Sequence, residues 1–475
     1  TWKPKVLEIS MASLQATSLS GEVIGLDDAV IGGLRERLAG ALLSGPDAGY
    51  DSARRVWNGN IDRRPALIAR CTGTADVQAA VTFAADNNLR LAVRGGGHNA
   101  AGHGTCDGGL VIDLSPMKGV HVDARRRTGR AQGGVLWSEF DRETQAFGLA
   151  TPGGTVSNTG VAGLTLGGGL GTLSGLYGLS CDNLLSADIV TADRQVRTAS
   201  ASENPDLYWA LRGGGGNFGV VTSFEFQLHE VGPTVLGGLV LHPRAAAKDV
   251  WKFCAEFGSN LPDSTYVLAA LLNSPDGDPL TGIFLSHTGP LDEGERLLAP
   301  IREFGSAIAD LVQPMPYTVR QKVLDDPMAI HGLQRYWKSG FARQVSDEMI
   351  DLLIEGANSA SSPMSAIIAY PIHGATTRVA PDATAYALRE QLWDVNVVSQ
   401  WVEGDAAPHV SWTRNIWGQV EPLTTGTAYT NHMGGDDWSP RIRASYGSNY
   451  DRLVGLKRQY DPQNLFRINP NIDPT

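Results

Sequence analysis

The sequence predicts an α+β protein in which a glycine-rich first half is followed by a second domain with an antiparallel sheet backed by helices. Short strand-like runs alternate with short helical patterns up to about residue 232, and four glycine clusters fall between residues 95 and 219. From about residue 233 the glycine clusters stop. Sheets and helices that each bury one apolar side pack into layers of this kind. At 475 residues, the chain is long enough for two or more domains.

The first elements predicted along the chain are a helix and two strands. Val77, Val81 and Ala84 share one face of a helix predicted over residues 75–88. The segments "RLAV" and "GGLVIDL" then read as strands because each is a short apolar run bounded by turn residues.

A hairpin and a helix are predicted next, at "VHVDARRRTGRAQGG" and "LWSEFDRETQAFG". Trp137, Phe140 and Phe147 are roughly in register on that helix. "ADIVTADRQVRTAS" predicts two strands joined by a tight turn, and "FGVVTSFEFQL" alternates as a strand with one buried face.

A short helix is predicted between those strands. Asn204 is typical of an N-cap residue, Pro205 suits the first helical position, and glycines follow the end of the segment.

The second half predicts a sheet and three covering helices. Four segments read as strands, namely "TVLGGLVLHP", "TYVLAALLN", "LTGIFLSHTG" and "SAIIAYPIHG". Three read as helices, namely "AAAKDVWKFCAEFGS", "DEGERLLAPIREFGS" and "DEMIDLLIEGAN". The domain boundaries predicted from these patterns are 30–232, 233–428 and a C-terminal segment 429–475 that returns to the first domain.

Composition and charge exclude several classes of protein. Hydrophobic residues make up 42% and charged residues 19%, as in ordinary globular proteins. The net charge of −11 argues against a nucleic-acid partner. No long uncharged apolar run is present, so no membrane span is expected. Residues 1–15 lack the pattern of a signal peptide. The compartment stays open with the cytoplasm favoured, and nothing indicates an oligomeric state.

The four cysteines are widely scattered and form no C-x-x-C pair. Neither a zinc site nor a disulfide framework is therefore expected, and isolated buried thiols are predicted. These cysteines are Cys71, Cys106, Cys181 and Cys254.

The stretch "RLAVRGGGHNAAGHGTCDGGLVIDL", residues 90–114, holds the main candidate for chemistry. Glycines let backbone N–H groups approach an anion because no Cβ is in the way. His98 follows three of them, and a neutral imidazole can act as a nucleophile or a base. Metal binding is the weaker alternative, because only His103 is near and no carboxylates stand at ligand spacing. "GGGLGTLSG" follows no clear strand, which argues against a nicotinamide-type dinucleotide fold.

The same residues carry a family resemblance. "RGGGHN" resembles the flavin-linking loop of the vanillyl-alcohol oxidase and para-cresol methylhydroxylase superfamily, and in particular its berberine-bridge-enzyme-like branch with the bacterial hydroxynicotine-oxidase-like members. The resemblance continues in order through "GGTVSNTGVAGLTLGGGLGTLSGLYGLSCDNLL", "DLYWALRGGGGNFGVVT" and "YDPQNLFRINPNI". It implies a two-part FAD-binding domain of the para-cresol methylhydroxylase type followed by a substrate domain.

The resemblance also implies how FAD is held. His98 would be joined through a ring nitrogen to the methyl group on the dimethylbenzene edge of FAD, and the surrounding loop would wrap the pyrophosphate with backbone N–H groups. Some relatives carry a second link through a cysteine, but Val156 stands at that position here, so attachment through His98 alone is expected. The implied cofactor contacts are His98, Arg94, Gly95, Gly96, Gly97, Asn99, Thr159, Gly160, Gly163, Leu164, Thr165, Gly168, Gly219, Val221 and Asn469.

The implied activity is that of an FAD-linked oxidase acting on a small molecule. A hydride would leave a C–H bond beside a hydroxyl or an amine, and O2 would take the electrons to give H2O2. Thr159 is small, which favours oxygen access. A dehydrogenase with another acceptor and a flavin-carrying or ligand-binding protein without turnover are the alternatives. The sequence does not indicate which small molecule is oxidised.

Three residues are candidates for catalysis. "GTAYTNHMGG" matches the family's Y-x-N strand, which makes Tyr429 the first candidate for a catalytic or orienting phenol and Asn431 for a hydrogen bond to flavin or substrate. Tyr370 lies on a strand that would face the flavin. A packing role explains a strand tyrosine equally well, and a phenol with a pKa of about 10 would need that pKa lowered to act as a base near neutrality.

Overall fold

The computed structural model describes residues 13–436 and 439–475, and three large sheets organise them. Two of the sheets are built before residue 228 and the third after residue 233. The predicted α+β class is confirmed. Two small two-stranded sheets complete the strands, and they pair Leu14–Thr17 with Val23–Leu26 and Leu149–Ala150 with His229–Glu230.

A four-stranded sheet carries the glycine loop of interest at one strand end. Its order is Ala41–Leu43, Leu67–Arg70, Leu110–Asp113 and Leu91–Arg94. The last three strands are parallel, so the predicted strands "RLAV" and "GGLVIDL" lie side by side. The predicted helix is present as Thr74–Asp86, and its predicted face is fully buried in the core. Asp28–Arg37 and Tyr50–Arg54 are the other helices before the glycine loop.

A five-stranded antiparallel sheet follows, and it contains the predicted hairpin. Its order is Val196–Ser200, Leu184–Val190, Val220–Gln227, Thr128–Gln132 and Val120–Asp123. The helices of this part are Trp137–Gln145, Val161–Leu166, Ser174–Tyr177 and Pro205–Leu211.

Two details of this part differ from the sequence prediction. Phe147 lies beyond the helix end and is 54% exposed, whereas Trp137 and Phe140 are buried. Asn204 is the N-cap residue and Pro205 the first helical residue, as predicted, but Asn204 adopts a left-handed conformation and its side chain makes no capping bond. Its amide donates to the Thr198 carbonyl instead.

The third sheet has eight strands, and helices cover one of its faces. Seven of its strands are hydrogen-bonded in the order Ala309–Asp310, Thr234–Pro243, Pro279–His287, Thr265–Asn273, Ala366–Ile372, Leu392–Trp401 and Gln334–Ala342. The eighth strand, Gln313–Pro316, pairs with Thr234–Pro243. The three predicted helices are present as Ala247–Gly258, Leu291–Arg302 and Asp347–Asn358. The remaining helices of this part are Tyr317–Arg320, Asp325–Met328, Ala375–Arg378 and Ala407–Val420. Ile367 packs into the core on one side of the sheet, and Ile368 faces the other side.

The C-terminal segment contacts the glycine-rich part of the chain. It contains the helices Ser439–Tyr446 and Tyr450–Tyr460. The buried Lys457 ammonium donates to the Asn217 carbonyl at 2.8 Å and to Asp461 at 2.7 Å. Asn217 in turn donates to the Pro470 carbonyl. On this basis we propose that the predicted boundaries near residues 232 and 428 separate the units of the fold. No helix in the described part of the chain has both the length and the apolar character that a bilayer crossing needs.

Candidate functional site

A cavity of about 810 Å³ lies between the glycine loops and the uncovered face of the eight-stranded sheet. Its volume is in the range of small-molecule and cofactor sites. One wall is mainly backbone, contributed by glycine-rich segments at residues 94–99, 155–167 and 215–221. The opposite wall is apolar and is lined by Leu239, Leu268, Ala270, Leu272, Phe284 and Ile368.

His98 sits at the bend where the strand Leu91–Arg94 gives way to the glycine loop. Gly97, with φ +68°, makes the turn that delivers the imidazole to the cavity wall. The ring stacks on Trp57 with 4.1 Å between centroids. Burial, with the nearby charge of Arg335, lowers the pKa of His98 to about 3, so the imidazole is neutral at physiological pH.

The hydrogen bonds around His98 also fix its tautomer. Its Nε2 lies 3.0 Å from Oδ1 of Asn158, whose Nδ2 donates to the Ala329 carbonyl. Since Asn158 thus presents its oxygen, Nε2 carries the hydrogen and donates it. With this hydrogen on Nε2, Nδ1 carries the lone pair of the neutral ring, and a nucleophile needs such a lone pair.

Arg94 lines the cavity, and its guanidinium is held by groups inside the fold. The guanidinium donates two hydrogen bonds, of 3.0 and 2.6 Å, to the Asp113 carboxylate. It also donates to the carbonyls of Ala53 and Arg55. Asp113 is fully buried. The arginine therefore anchors the strand end in front of the loop.

Gly96 and Gly160 let the two glycine loops touch. A Cβ on Gly160 would stand 2.5 Å from the Gly96 nitrogen, and one on Gly96 would stand 2.5 Å from the Gly160 nitrogen. Gly163 is different, because a Cβ there would meet nothing within 4 Å although the residue lines the cavity. Gly160 is thus needed for loop packing, whereas Gly163 leaves room for a ligand.

This contrast gives a first prediction. Gly160→Ala should destabilise the protein by about 1–3 kcal/mol, because backbone atoms cannot move away from the methyl group. Gly163→Ala should leave stability within about 0.5 kcal/mol but lower the cofactor content, since its methyl group occupies ligand space. Urea unfolding midpoints and flavin per polypeptide measure the two effects. Equal unfolding midpoints for the two variants would contradict the prediction.

Most of the residues expected to contact the cofactor line this cavity. They are His98, Arg94, Gly95, Gly96, Gly97, Asn99, Thr159, Gly160, Gly163, Leu164, Gly219, Val221 and Asn469. Two others lie behind the wall: Thr165 is on the buried side of the helix Val161–Leu166, and Gly168 packs on the ring of Tyr386.

Buried polar atoms in the wall show that a polar ligand fits here. Oδ1 of Asn469, Oη of Tyr446 and Nδ1 of His103 have no hydrogen-bond partner within residues 13–436 and 439–475. All three residues line the cavity. Buried polar groups are nearly always paired, so these atoms suit a ligand that carries hydrogen-bonding groups along its length. A dinucleotide such as FAD meets that requirement.

Tyr429 and Asn431 form a hydrogen-bonded unit in the cavity wall. The phenol oxygen accepts from the backbone N–H groups of Gly169 and Leu170 at 2.8 and 3.2 Å and from the Asn431 amide at 2.7 Å. The same amide donates to the Leu164 carbonyl. Burial raises the Tyr429 pKa above its ordinary value although these donors oppose it, so the phenol stays protonated near neutrality.

The local structure around Tyr429 corrects one sequence expectation. The Y-x-N segment is not a strand: Tyr429 precedes a short 3₁₀ turn over Thr430–His432. That turn places Asn431 and His432 on the cavity wall beside Tyr429.

Tyr370 also lines the cavity, and it leads to two groups that the sequence analysis missed. Its hydroxyl donates to Asp394 at 2.7 Å, and Nδ1 of His432 lies 3.0 Å from the same carboxylate oxygen. Asp394 is fully buried, and burial beside this carboxylate raises the pKa of Tyr370. The only sequence signal was a histidine directly after Y-x-N, since the carboxylate is remote along the chain.

All four cysteines are free and buried, as predicted. None of them lines the cavity, whereas Val156 does. Within residues 13–436 and 439–475, no group of three or more His, Cys, Asp or Glu side chains is arranged to hold a metal ion.

Comparison with known proteins agrees with this geometry. The FAD binding domain family matches residues 65–200, and the berberine and berberine-like family matches residues 428–473. An FAD-linked oxidoreductase of Dictyostelium discoideum is 31% identical over 426 residues, which cover 89% of this chain and 92% of that protein.

Two solved structures share the fold. The structure of 6-hydroxy-D-nicotine oxidase from Arthrobacter nicotinovorans has a TM-score of 0.84 and 29% identity, covering 92% of this chain and 98% of its own. Glucooligosaccharide oxidase from Acremonium strictum, which carries 6-S-cysteinyl, 8α-N1-histidyl FAD, has a TM-score of 0.83 and 24% identity, covering 94% of this chain and 100% of its own. With its glycine-walled cavity, its family matches and these relatives, the chain belongs to the berberine-bridge-enzyme-like branch of the FAD-linked oxidoreductases.

Proposed function

We propose that the protein is an oxidase whose FAD is attached through His98 alone. It oxidises a small apolar alcohol or amine and uses O2 as the electron acceptor. The observation that carries the proposal is the neutral His98 imidazole, which lies on the glycine-rich wall of the cavity with its Nε2 bound to Asn158. The histidyl-linked FAD of the glucooligosaccharide oxidase and the oxidase activity named for the nicotine relative support it.

Attachment through one residue follows from the side chains available. His98 would hold the cofactor by a bond from its ring nitrogen to the methyl carbon; the imidazole would lose its N–H proton, the methyl group would lose a hydride, and O2 would take both to become H2O2. No cysteine lines the cavity, and the valine at position 156 cannot form a thioether. Gly95, Gly96, Gly97 and Asn99 would hold the pyrophosphate region through backbone N–H groups, with Asn469 supplying a further polar contact.

Bound FAD supplies the hydride acceptor and, in an oxidase, passes the electrons to oxygen. The chain's own residues do the rest. The apolar sheet wall orients the substrate and excludes water, and Thr159 leaves space beside the glycine loop. Tyr429 and Asn431 stabilise the glycine-rich wall by hydrogen bonds. When the C–H bond gives up its hydride, the adjacent hydroxyl or amine must also lose a proton, and a base within hydrogen-bond distance must accept it.

The wall chemistry favours one class of substrate. Aliphatic and aromatic side chains dominate the sheet face, so burying an apolar substrate gains roughly 25 cal/mol per Å² of apolar surface. A saccharide, by contrast, would bring more hydroxyl groups against this face than its few polar side chains, such as Asn273 and Gln400, can pair with, which is costly.

The test is a set of anaerobic stopped-flow reductions followed by mixing with O2. We expect an apolar aromatic amine or alcohol, such as 6-hydroxynicotine or 4-hydroxybenzyl alcohol, to bleach the flavin and cellobiose not to do so. Aerated buffer should then restore the colour within seconds and yield one H2O2 per flavin. Reoxidation over minutes would instead support a dehydrogenase with another acceptor. A flavin that no compound bleaches would support a carrier without turnover.

A further inference from the structure

We propose that His432, held by Asp394, is the catalytic base that takes the proton from the substrate hydroxyl or amine. The inference rests on the proposed function, because it assigns the proton that accompanies hydride removal. It also replaces the first sequence candidate for this role, Tyr429, with a residue that sequence reasoning had passed over.

The hydrogen bond between His432 and Asp394 sets the tautomer of the imidazole. Nδ1 lies 3.0 Å from the carboxylate, which can only accept, so Nδ1 carries the hydrogen. Nε2 is left with its lone pair, and no hydrogen bond to Nε2 is made within residues 13–436 and 439–475. His432 lines the cavity, and the proposal assigns this lone pair to the substrate proton.

Neighbouring rings hold the imidazole in one orientation. It stacks on Trp337 with 5.0 Å between centroids, and the ring of Tyr429 meets it edge-on at 4.9 Å. Trp337 is itself fixed, because its indole N–H donates to Asn396 at 2.9 Å. Ring packing and the hydrogen bond to Asp394 hold the base in place before the reaction, so no orientational entropy is lost when the proton is transferred.

The charges around the imidazole favour accepting a proton. The buried Asp394 carboxylate also accepts a hydrogen bond from the Tyr370 hydroxyl at 2.7 Å, and this bond holds the carboxylate in position beside His432. Asp394 and Tyr429 are titratable groups that contact the His432 ring, and Tyr370 contacts the Asp394 carboxylate. Lys338, on the strand that carries Trp337, is paired with Asp436 at 2.8 Å. A neighbouring carboxylate stabilises the imidazolium that forms when a histidine acts as a base.

Tyr429 is less suited to the role. Its oxygen already accepts three hydrogen bonds, and burial keeps its phenol protonated near neutrality. In the step we assign, the substrate O–H or N–H bond breaks and its proton passes to Nε2 of His432. The hydride from the adjacent carbon passes to the bound FAD, and the substrate leaves as a carbonyl compound or an imine.

The kinetic test compares His432→Gln with Tyr429→Phe in the flavin-loaded protein. Using 6-hydroxynicotine and 4-hydroxybenzyl alcohol as probes, we expect His432→Gln to slow flavin reduction about 10²–10⁴-fold. Flavin content should not change. Tyr429→Phe should slow reduction less than about tenfold. Reduction at the wild-type rate in His432→Gln would overturn the assignment.

A second measurement tests the hydrogen bond between His432 and Asp394 without any turnover. In ¹⁵N-histidine-labelled flavin-loaded protein, long-range ¹H–¹⁵N spectra, with His432→Gln to identify the signal, should show hydrogen on Nδ1 and a bare Nε2. Hydrogen on Nε2 would overturn the pair. A probe panel that never reduces the flavin counts against the proposed function, and these spectra then decide the pair by themselves.

Discussion

Purified His98→Ala protein is expected to release all of its flavin on denaturation in acid, whereas the wild-type chain retains its flavin. The reason is chemical, because alanine offers no nucleophile and His98 is the imidazole that directly follows the three glycines of the cavity loop. An acid-treated gel viewed under ultraviolet light, with the absorbance of the supernatant, measures the bound and released flavin.

His103→Ala is the matched control for this experiment. His103 lines the same cavity, and burial lowers its pKa to about 4, so it is also neutral at physiological pH. It does not share the hydrogen bond that sets the tautomer of His98. The control should keep its flavin on the polypeptide. Fluorescent polypeptide in His98→Ala, or complete release from the wild type, would contradict the assigned linkage.

The His98→Ala protein should nevertheless fold and bind FAD without a covalent bond. The deletion removes one stacking contact with Trp57, worth about 0.5–1.5 kcal/mol. The backbone contacts of the glycine loops stay in place. Flavin fluorescence during dialysis and the thermal unfolding midpoint measure the two consequences.

The parts of this structure that sequence reasoning predicted are those determined by local chemistry. Periodicity identified the buried face of the helix Thr74–Asp86, since Val77, Val81 and Ala84 are all inside. Glycine clustering identified the loops that form one cavity wall, because close backbone approach needs glycine whatever the rest of the fold does. The family motif then brought His98 and the Y-x-N segment to notice, and the family itself is confirmed.

The parts that sequence reasoning missed depend on residues far apart in the chain. His432 and Asp394 are 38 positions apart, and neither stands in a pattern that predicts their contact. The N–H groups that bind the Tyr429 oxygen come from about 260 positions away. No local pattern indicates that a side chain such as Arg94 turns from the cavity to an internal carboxylate. Pairings of this kind are decided by sheet topology.

The buried pair of Arg94 and Asp113 should be the most stability-sensitive contact near the site. Asp113→Asn is expected to destabilise the protein by about 3–5 kcal/mol, because it leaves a buried guanidinium without its counter-charge. Arg70→Gln is the matched control, since Arg70 reaches the same carboxylate at 3.3 Å from a half-exposed position and should cost less than about 1 kcal/mol. Urea unfolding of the flavin-loaded proteins measures both.

The pH dependence of that difference follows from the same pair. Burial raises the Asp113 pKa, but the charge and hydrogen bonds of Arg94 and the hydrogen bonds from Ser115 outweigh it and hold the pKa below its ordinary value. The carboxylate therefore contributes its full stability above the unfolded pKa of about 3.9 and loses it as the pH falls through the lower folded value. The gap between wild type and Asp113→Asn should stay constant above about pH 5 and shrink below pH 4. Because Arg94 leads directly into Gly95–His98, Asp113→Asn should also lower the fraction of chains with covalent flavin. A variant with wild-type stability and full linkage would show that the loop positions His98 without this anchor.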